Sequence, residues 1–376
     1  MGLEFQAIAG LEETALTLAI ERNTTTMREA PFRHALALLE VNLVRRTPIY
    51  IVLLLLATTG RASVAQEAAH KGTVKFQPTA GEQALPEHFQ LKPHTFTYEF
   101  TPGRVLLGRI ATSTLTFPSP VKTPHENNNT VHCEYYRPLG AKGDRDKKQP
   151  GVIVLHILGG NFALSRLFCT SLASRGVSAL FVKLPYYGPR RQPGVSIRMI
   201  SEDPHQTVRG MTQGVLDIRR AVAWLGQQEE VDSKQLGIFG ISLGGITASL
   251  AATAEPRLTK ICPLLAGGDI AQIAWESPQM AKVRKRWIKQ GGTRQTLVEL
   301  MKTIDPVTYG KNVRGRKILM LNARNDEVIP RSCTDALWRS FGKPEIIWYD
   351  AGHYTAIKHI NDCLRRVSKF FQPEKM

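Results

Sequence analysis

The segment Gly240-Ile241-Ser242-Leu243-Gly244 is equipped for covalent chemistry. The G-x-S-x-G spacing suits a sharp reversal from a strand into a helix. Glycines on either side of the serine spare the turn from side-chain clashes, and the hydroxyl is raised on its tip. The context agrees, since Leu236–Phe239 reads as a short buried strand and Gly245–Ala254 as an Ala- and Leu-rich helix. Serine attacks a carbonyl only once a base removes its proton. His353, in Ala351-Gly352-His353-Tyr354, follows the strand-like run Glu345–Tyr349 and is the expected base. Asp326, in the stretch from Asn322 to Pro330, follows the run Lys317–Leu321 and is the expected orienting acid. Glu327 is the nearest competitor for that role and Asp350 a more distant one; Asp326 as an N-cap for a helix near Pro330 is the structural alternative. All three expected residues fall at C-terminal ends of predicted strands, where open α/β sheets place their sites.

Attack on a carbonyl builds an oxyanion, which needs backbone N–H donors already aimed at it. Leu243, next after the serine, is one expected donor. The other comes from the loop His156-Ile157-Leu158-Gly159-Gly160-Asn161, with Leu158 the first choice and Gly159 the second. No metal or organic cofactor is required by such a site. Tyr187, beside Gly188, reads equally as pocket lining or as core.

These residues need a sheet to hold them. Ser113–Phe117 and Thr130–Tyr136 read as β segments, followed by Gly151–His156, Ser178–Val182, Leu236–Phe239, Ile261–Leu265, Lys317–Leu321 and Glu345–Tyr349. The continuous apolar runs are those of strands buried on both faces. Between them, Val208–Leu225 carries apolar residues at helical spacing. Alternating strands and helices predict a mostly parallel central sheet with helices on both faces, and the early β segments predict antiparallel strands at one edge. The expected organisation is an N-terminal extension with signal peptide over 1–65, an extended lead-in over 66–110 and one α/β domain over 111–376. Residues 271–302 are longer than a simple crossover and are expected to form a helical insert.

The formal charge of +17 lies wholly beyond residue 65, because the first 65 residues hold six Arg against six Glu. A basic surface favours polyanions, acidic polysaccharide or anionic membrane faces. No zinc finger, RNA-binding signature or basic-region heptad accompanies it, so nucleic acid is not an expected partner. Lys282–Lys289 is a basic helix with one Trp, read as a solvated face burying Trp287 or as a holder for an acidic glycan or lipid surface. The five cysteines, Cys133, Cys169, Cys262, Cys333 and Cys363, are widely spaced without a C-x-x-C pair. That pattern excludes a disulfide framework and a structural zinc site, and leaves at most one incidental disulfide. Arg45-Arg46, the apolar run from Ile49 to Ala57 and Ser63-Val64-Ala65 form the three parts of a secretory signal, predicting a secreted or periplasmic protein. An uncleaved membrane anchor is the alternative, and the long stretch before the run raises Met27 as an alternative start.

From about Leu115 to Phe371 the chain resembles the α/β-hydrolase superfamily, in its dienelactone-hydrolase, acetyl-esterase and S9-peptidase-like branch. The resemblance is carried by His156–Gly160, Leu184-Pro185-Tyr186-Tyr187-Gly188, Gly240–Gly245, Asp326–Pro330 and Gly352-His353. The chain order Ser, Asp, His is also that of α/β hydrolases rather than of chymotrypsin or subtilisin. The resemblance implies hydrolysis of an ester, thioester or amide through an acyl-serine, with Ser242 where dienelactone hydrolases carry cysteine. About 45 residues ahead of the domain cannot form the propeller of prolyl oligopeptidases, which favours a small-molecule or glycan ester over a peptide. A peptidase or amidase, an acyltransferase, or a non-catalytic binding protein on the same fold are the alternatives.

Overall fold

The structure is a computed structural model and describes residues 68–140, 148–160 and 162–373. The expected signal segment lies outside these residues. Among the described residues, no helix is long and apolar enough to cross a membrane.

Among the described residues, ten strands form one sheet in the order β1-β2-β3-β4-β6-β5-β7-β8-β9-β10. They are β1 (His70–Phe76), β2 (His94–Leu106), β3 (Ile110–Pro118), β4 (Thr130–Pro138), β5 (Gln149–Leu155), β6 (Ser178–Val182), β7 (Val231–Ile241), β8 (Leu258–Leu264), β9 (Lys317–Ala323) and β10 (Glu345–Tyr349). The pairings from β6 through β10 are parallel, and those among β1 to β4 and between β4 and β6 are antiparallel. This is the α/β-hydrolase fold, with its antiparallel strands gathered at one edge.

The segment 66–110, expected as a lead-in on the surface, instead supplies β1 and β2 to the sheet. In β2, Phe96 and Phe100 are buried while Thr95, Thr97 and Glu99 are exposed. Phe96-x-Tyr98-x-Phe100 is the period-2 signal that marks a strand with one face on a core.

The sheet separates two apolar layers, and β5 shows why its sequence is continuously apolar. Val152 and Val154 face the layer of Phe168, Cys169, Cys363 and Phe371, whereas Ile153 and Leu155 face that of Val215, Ile218 and Leu250. Helices α1 (Ala163–Ala173) and, at the end of the chain, Ile360–Phe371 cover the first face; α2 (Pro204–Leu225) and α3 (Leu243–Ala254) cover the second. Asp203 caps α2 by accepting from the His205 amide at 3.0 Å, with Pro204 at the first helical position. Every residue of α3 is buried, with Thr247 and Thr253 returning their hydroxyls to the Leu243 and Leu250 carbonyls of the same helix.

The insert forms α4 (Ile270–Glu276), α5 (Ala281–Lys289) and α6 (Arg294–Met301), and packs mainly on α2 and on α7 (Arg331–Ser340). On α5, Trp287 is buried and donates its indole N–H to the Thr293 carbonyl, while Lys282, Lys285, Arg286 and Lys289 are exposed. The basic run is thus a solvated face with one buried aromatic. The last helix is α8 (Ile360–Phe371). All five cysteines are buried free thiols.

Candidate active site

The turn between β7 and α3 holds Ser242 at φ 54° and ψ −116°, a backbone region that a side chain adopts only under constraint. Sterics supply the constraint. A Cβ on Gly240 would lie 2.1 Å from the Gly244 carbonyl oxygen, and one on Gly244 would meet the His156 and Leu155 carbonyls at 2.6 and 2.7 Å. Only glycine at both positions lets α3 start this close to the ends of β7 and β5. The Ser242 amide donates to the Leu264 carbonyl at 2.8 Å, tying the strained residue to β8.

The structure brings the three sequence-predicted residues together. His353 Nε2 lies 2.9 Å from Ser242 Oγ, and His353 Nδ1 lies 2.8 and 3.0 Å from the two Asp326 oxygens. With Nδ1–H donating to the carboxylate, Nε2 keeps its lone pair for the serine proton. Asp326 is itself fixed, since its Oδ1 accepts from the Val328 and Ile329 amides at 2.8 and 2.7 Å. Those bonds close a local turn, and α7 begins later at Arg331 without a side-chain cap, so Asp326 is not that helix's N-cap. Glu327 does not reach the imidazole; its Oε2 accepts from the His353 backbone amide at 2.8 Å. Asp350 accepts from the Asn325 side chain instead.

The loop after β5 is anchored by His156, which is fully buried. Its Nδ1 lies 2.8 Å from the Ile157 carbonyl and its Nε2 3.1 Å from the Leu184 amide. A neutral ring that donates from Nδ1 and accepts at Nε2 satisfies both. Burial, with Lys183 and Arg190 adding to it, lowers the His156 pKa to about 4 and keeps it in that form. Tyr187 is core rather than open pocket lining, its ring edge-on to His156 at 4.7 Å. Leu158 sits beyond this anchor with its side chain exposed. Among the described residues, neither the Leu158 nor the Leu243 amide has a protein acceptor.

The insert reaches the histidine loop. Gln279, in the short turn between α4 and α5, donates to the Tyr354 hydroxyl at 3.0 Å, and the Tyr354 ring stands edge-on to His353 at 5.5 Å. Sequence reasoning missed both this contact and the part of Glu327. Among the described residues, no group of three or more His, Cys, Asp or Glu side chains is placed to hold a metal.

Residues 113–272 match the family described as alpha/beta hydrolase domain containing 18, and residues 206–339 match the X-Pro dipeptidyl-peptidase (S15) family. Two curated proteins of Mycobacterium tuberculosis, both named as uncharacterized, are 32% identical over 181 residues. That alignment covers 47% of this chain and 42% of theirs, so the chain spans less than half the length of these relatives. The acetyl xylan esterase from Paenibacillus sp. R4 superposes with a TM-score of 0.60 at 20% identity, over 73% of this chain and 88% of its own. Acetyl xylan esterase 1 from Thermoanaerobacterium sp. JW/SL YS485 gives 0.57 at 18% identity, over 73% and 86%. At such identities the likeness is one of fold. Sheet order, elbow, chain order of the site residues and family matches agree, and the chain belongs to the α/β-hydrolase superfamily.

Proposed function

We propose that this protein is a serine hydrolase that cleaves a carboxylic ester through an acyl-Ser242 intermediate. The observation that carries the reading is His353 bridging Ser242 Oγ and the Asp326 carboxylate, each within 3.0 Å. Ser242 Oγ attacks the ester carbonyl carbon as its proton passes to His353 Nε2, and Asp326 stabilises the resulting imidazolium. The Leu243 and Leu158 amides receive the carbonyl oxygen as it becomes an oxyanion. His353 then gives its proton to the leaving alcohol; it next takes a proton from water as the water oxygen attacks the acyl carbon, and returns that proton to Ser242 Oγ as the acid departs.

An ester is the favoured bond, and both similar structures named above are called acetyl xylan esterases; a small-molecule or glycan ester fits that likeness. The match to a dipeptidyl-peptidase family over the segment with Ser242 and Asp326 supports amide cleavage as a second reading. We propose further that residues 45–65 direct export, in line with an extracellular or periplasmic ester. The test of the reaction is turnover of p-nitrophenyl esters and of matched anilides by wild type and Ser242→Ala. Ester turnover should fall by about four orders of magnitude or more in the variant. Equal turnover by both proteins overturns the assignment, and faster anilide than ester cleavage selects the second reading.

A further inference from the structure

A cavity of about 580 Å³ is lined in part by Tyr186 and Ile197, from the segment that follows β6. Its walls are the connection between β3 and β4, the segment after β6 and the first turns of α2. Val121, Ile197 and Val208 give it apolar walls, whereas Lys122, His125, Arg209 and His88 bring nitrogen bases to it. Among the described residues, no Asp or Glu lines it. Lys122 is exposed and has no acidic partner among the described residues, whereas Arg209 pairs with Asp203 at 3.5 Å at the exposed surface and donates from Nε to Gln206 Oε1 at 3.2 Å. Such a lining suits an apolar body that ends in a negative charge.

The cavity is held in shape from behind. Tyr186, on its wall, has φ 65°, and its amide donates to Asn128 Oδ1 at 2.9 Å. Asn128 Nδ2 donates to Gln213 Oε1 at 2.8 Å, and Gln213 Nε2 donates to Ser119 Oγ at 3.1 Å. Asn128, Gln213 and Ser119 are all buried. A left-handed tyrosine fixed by a buried polar network is a constrained wall rather than a loose loop.

Sheet order shows which part of a substrate would reach it. Strand β6 lies two positions from β7 with β5 between, so the two strands are roughly 10 Å apart, and Tyr186, in the segment that follows β6, lines the cavity. The leaving oxygen must face His353, which arrives from the opposite side, off β10. The acyl portion then extends past Leu158 toward β6. We propose that this cavity binds the far end of the acyl group, and that the substrate's acyl group carries a terminal carboxylate. The inference rests on the serine-esterase reading for its direction and on the cavity for its chemistry.

The test uses the full chain and p-nitrophenyl half-esters of dicarboxylic acids in a chain-length series, each with its neutral methyl-capped counterpart. Wild type should favour the charged member of one length by about tenfold in kcat/KM. The ratio should fall to near one in Lys122→Ala and invert in Lys122→Glu/Arg209→Glu. A second arm measures calorimetric binding of the free dicarboxylic acids to Ser242→Ala with and without those cavity substitutions. Charge-dependent binding by the variant, with no ester turnover by wild type, upholds the cavity and removes the esterase reading. Ester turnover with equal kcat/KM for charged and neutral partners, and no acid binding, overturns the cavity proposal and leaves the esterase reading standing.

Discussion

Glu327 Oε2 and the backbone amide of His353 lie 2.8 Å apart, so two adjacent acids hold one histidine at two points. Asp326 takes the ring and Glu327 takes the main chain. On the proposed serine-hydrolase reading Glu327 would be a positioning residue, because it touches His353 only through the backbone. Losing a charge-assisted bond of this kind costs about 1.5–3 kcal/mol. Glu327→Ala should therefore lower kcat by about tenfold to a hundredfold with little change in KM, and Glu327→Gln, which keeps an acceptor oxygen, should recover much of it. Gly352→Ala should imitate Glu327→Ala, since its Cβ would lie 2.5 Å from Glu327 Oε2 and displace it. Steady-state kinetics on the three variants decide the matter. Unchanged kcat in Glu327→Ala removes Glu327 from any part in catalysis.

The elbow trades stability for geometry. A residue with a Cβ in a sparsely populated backbone region costs about 1–3 kcal/mol, and Ser242 carries that strain at φ 54°. Ser242→Ala keeps the Cβ and Ser242→Gly removes it, while glycine's extra unfolded-state entropy returns about 0.5–1 kcal/mol. Both variants should be inactive, with Ser242→Gly the more stable by about 1 kcal/mol. Gly240→Ala should go the other way, by about 3 kcal/mol or more, because its new Cβ meets backbone rather than a movable side chain. Urea unfolding midpoints report both, and Ser242→Gly less stable than Ser242→Ala would contradict strain at Ser242.

How much of this was legible in the sequence varied with the reach of the signal. The strands β6 and β10 begin and end where their apolar runs do, at Ser178–Val182 and Glu345–Tyr349, since short runs bounded by turns carry their own limits. Ser242, Asp326 and His353 could be picked out because strand, turn and chain order are all local patterns, and the fold brings those three side chains into contact. The strand β2 was legible in Phe96-x-Tyr98-x-Phe100, but the polar residues between hid it. Glu327 was a different case. Nothing local separates two neighbouring carboxylates, and only the approach of the β10 loop gives each its own partner. Burial of Arg190 was equally hidden, because an arginine in a Pro- and Gly-rich loop reads as surface until its acid, Asp217, arrives from a distant helix.

Acid should loosen the fold through His156. Burial lowers its pKa to about 4, and that of the half-buried His132 likewise to about 4, with Lys183 and Arg190 adding to the effect. A histidine lowered in the folded state binds fewer protons there than in the unfolded chain. Its contribution is therefore complete above about pH 6.5 and is lost as pH falls toward 4. For His156 the loss approaches about 3 kcal/mol. Urea unfolding at pH 7 and 4.5 should show the decline, and the His156 ring should stay neutral by NMR until near pH 4. A ring that titrates near 6.5 would exclude the buried neutral form, and with it the anchor of the Leu158 loop.

The Arg190–Asp217 pair should prove costly to break from one side and cheaper to remove whole. The two side chains are 0% and 1% exposed and 2.8 Å apart. Arg190 also donates to the Asn128 carbonyl at 2.7 Å and the Lys183 carbonyl at 3.1 Å, while Asp217 accepts from Ser119 at 2.6 Å. Arg190→Met strands a buried carboxylate and should destabilise by about 3–5 kcal/mol. Arg190→Met/Asp217→Leu should recover part of that loss, since two apolar groups leave no charge unpaired. Burial already raises the Asp217 pKa against the pull of Arg190, and removing the arginine raises it further. A raised carboxyl pKa means the folded variant gains a proton as pH falls, so the gap between Arg190→Met and wild type should narrow from pH 8 to pH 5. A double-mutant cycle in urea at both pH values reads all three effects. Additive single losses that do not change with pH would mean that the two charges are not coupled in the folded protein.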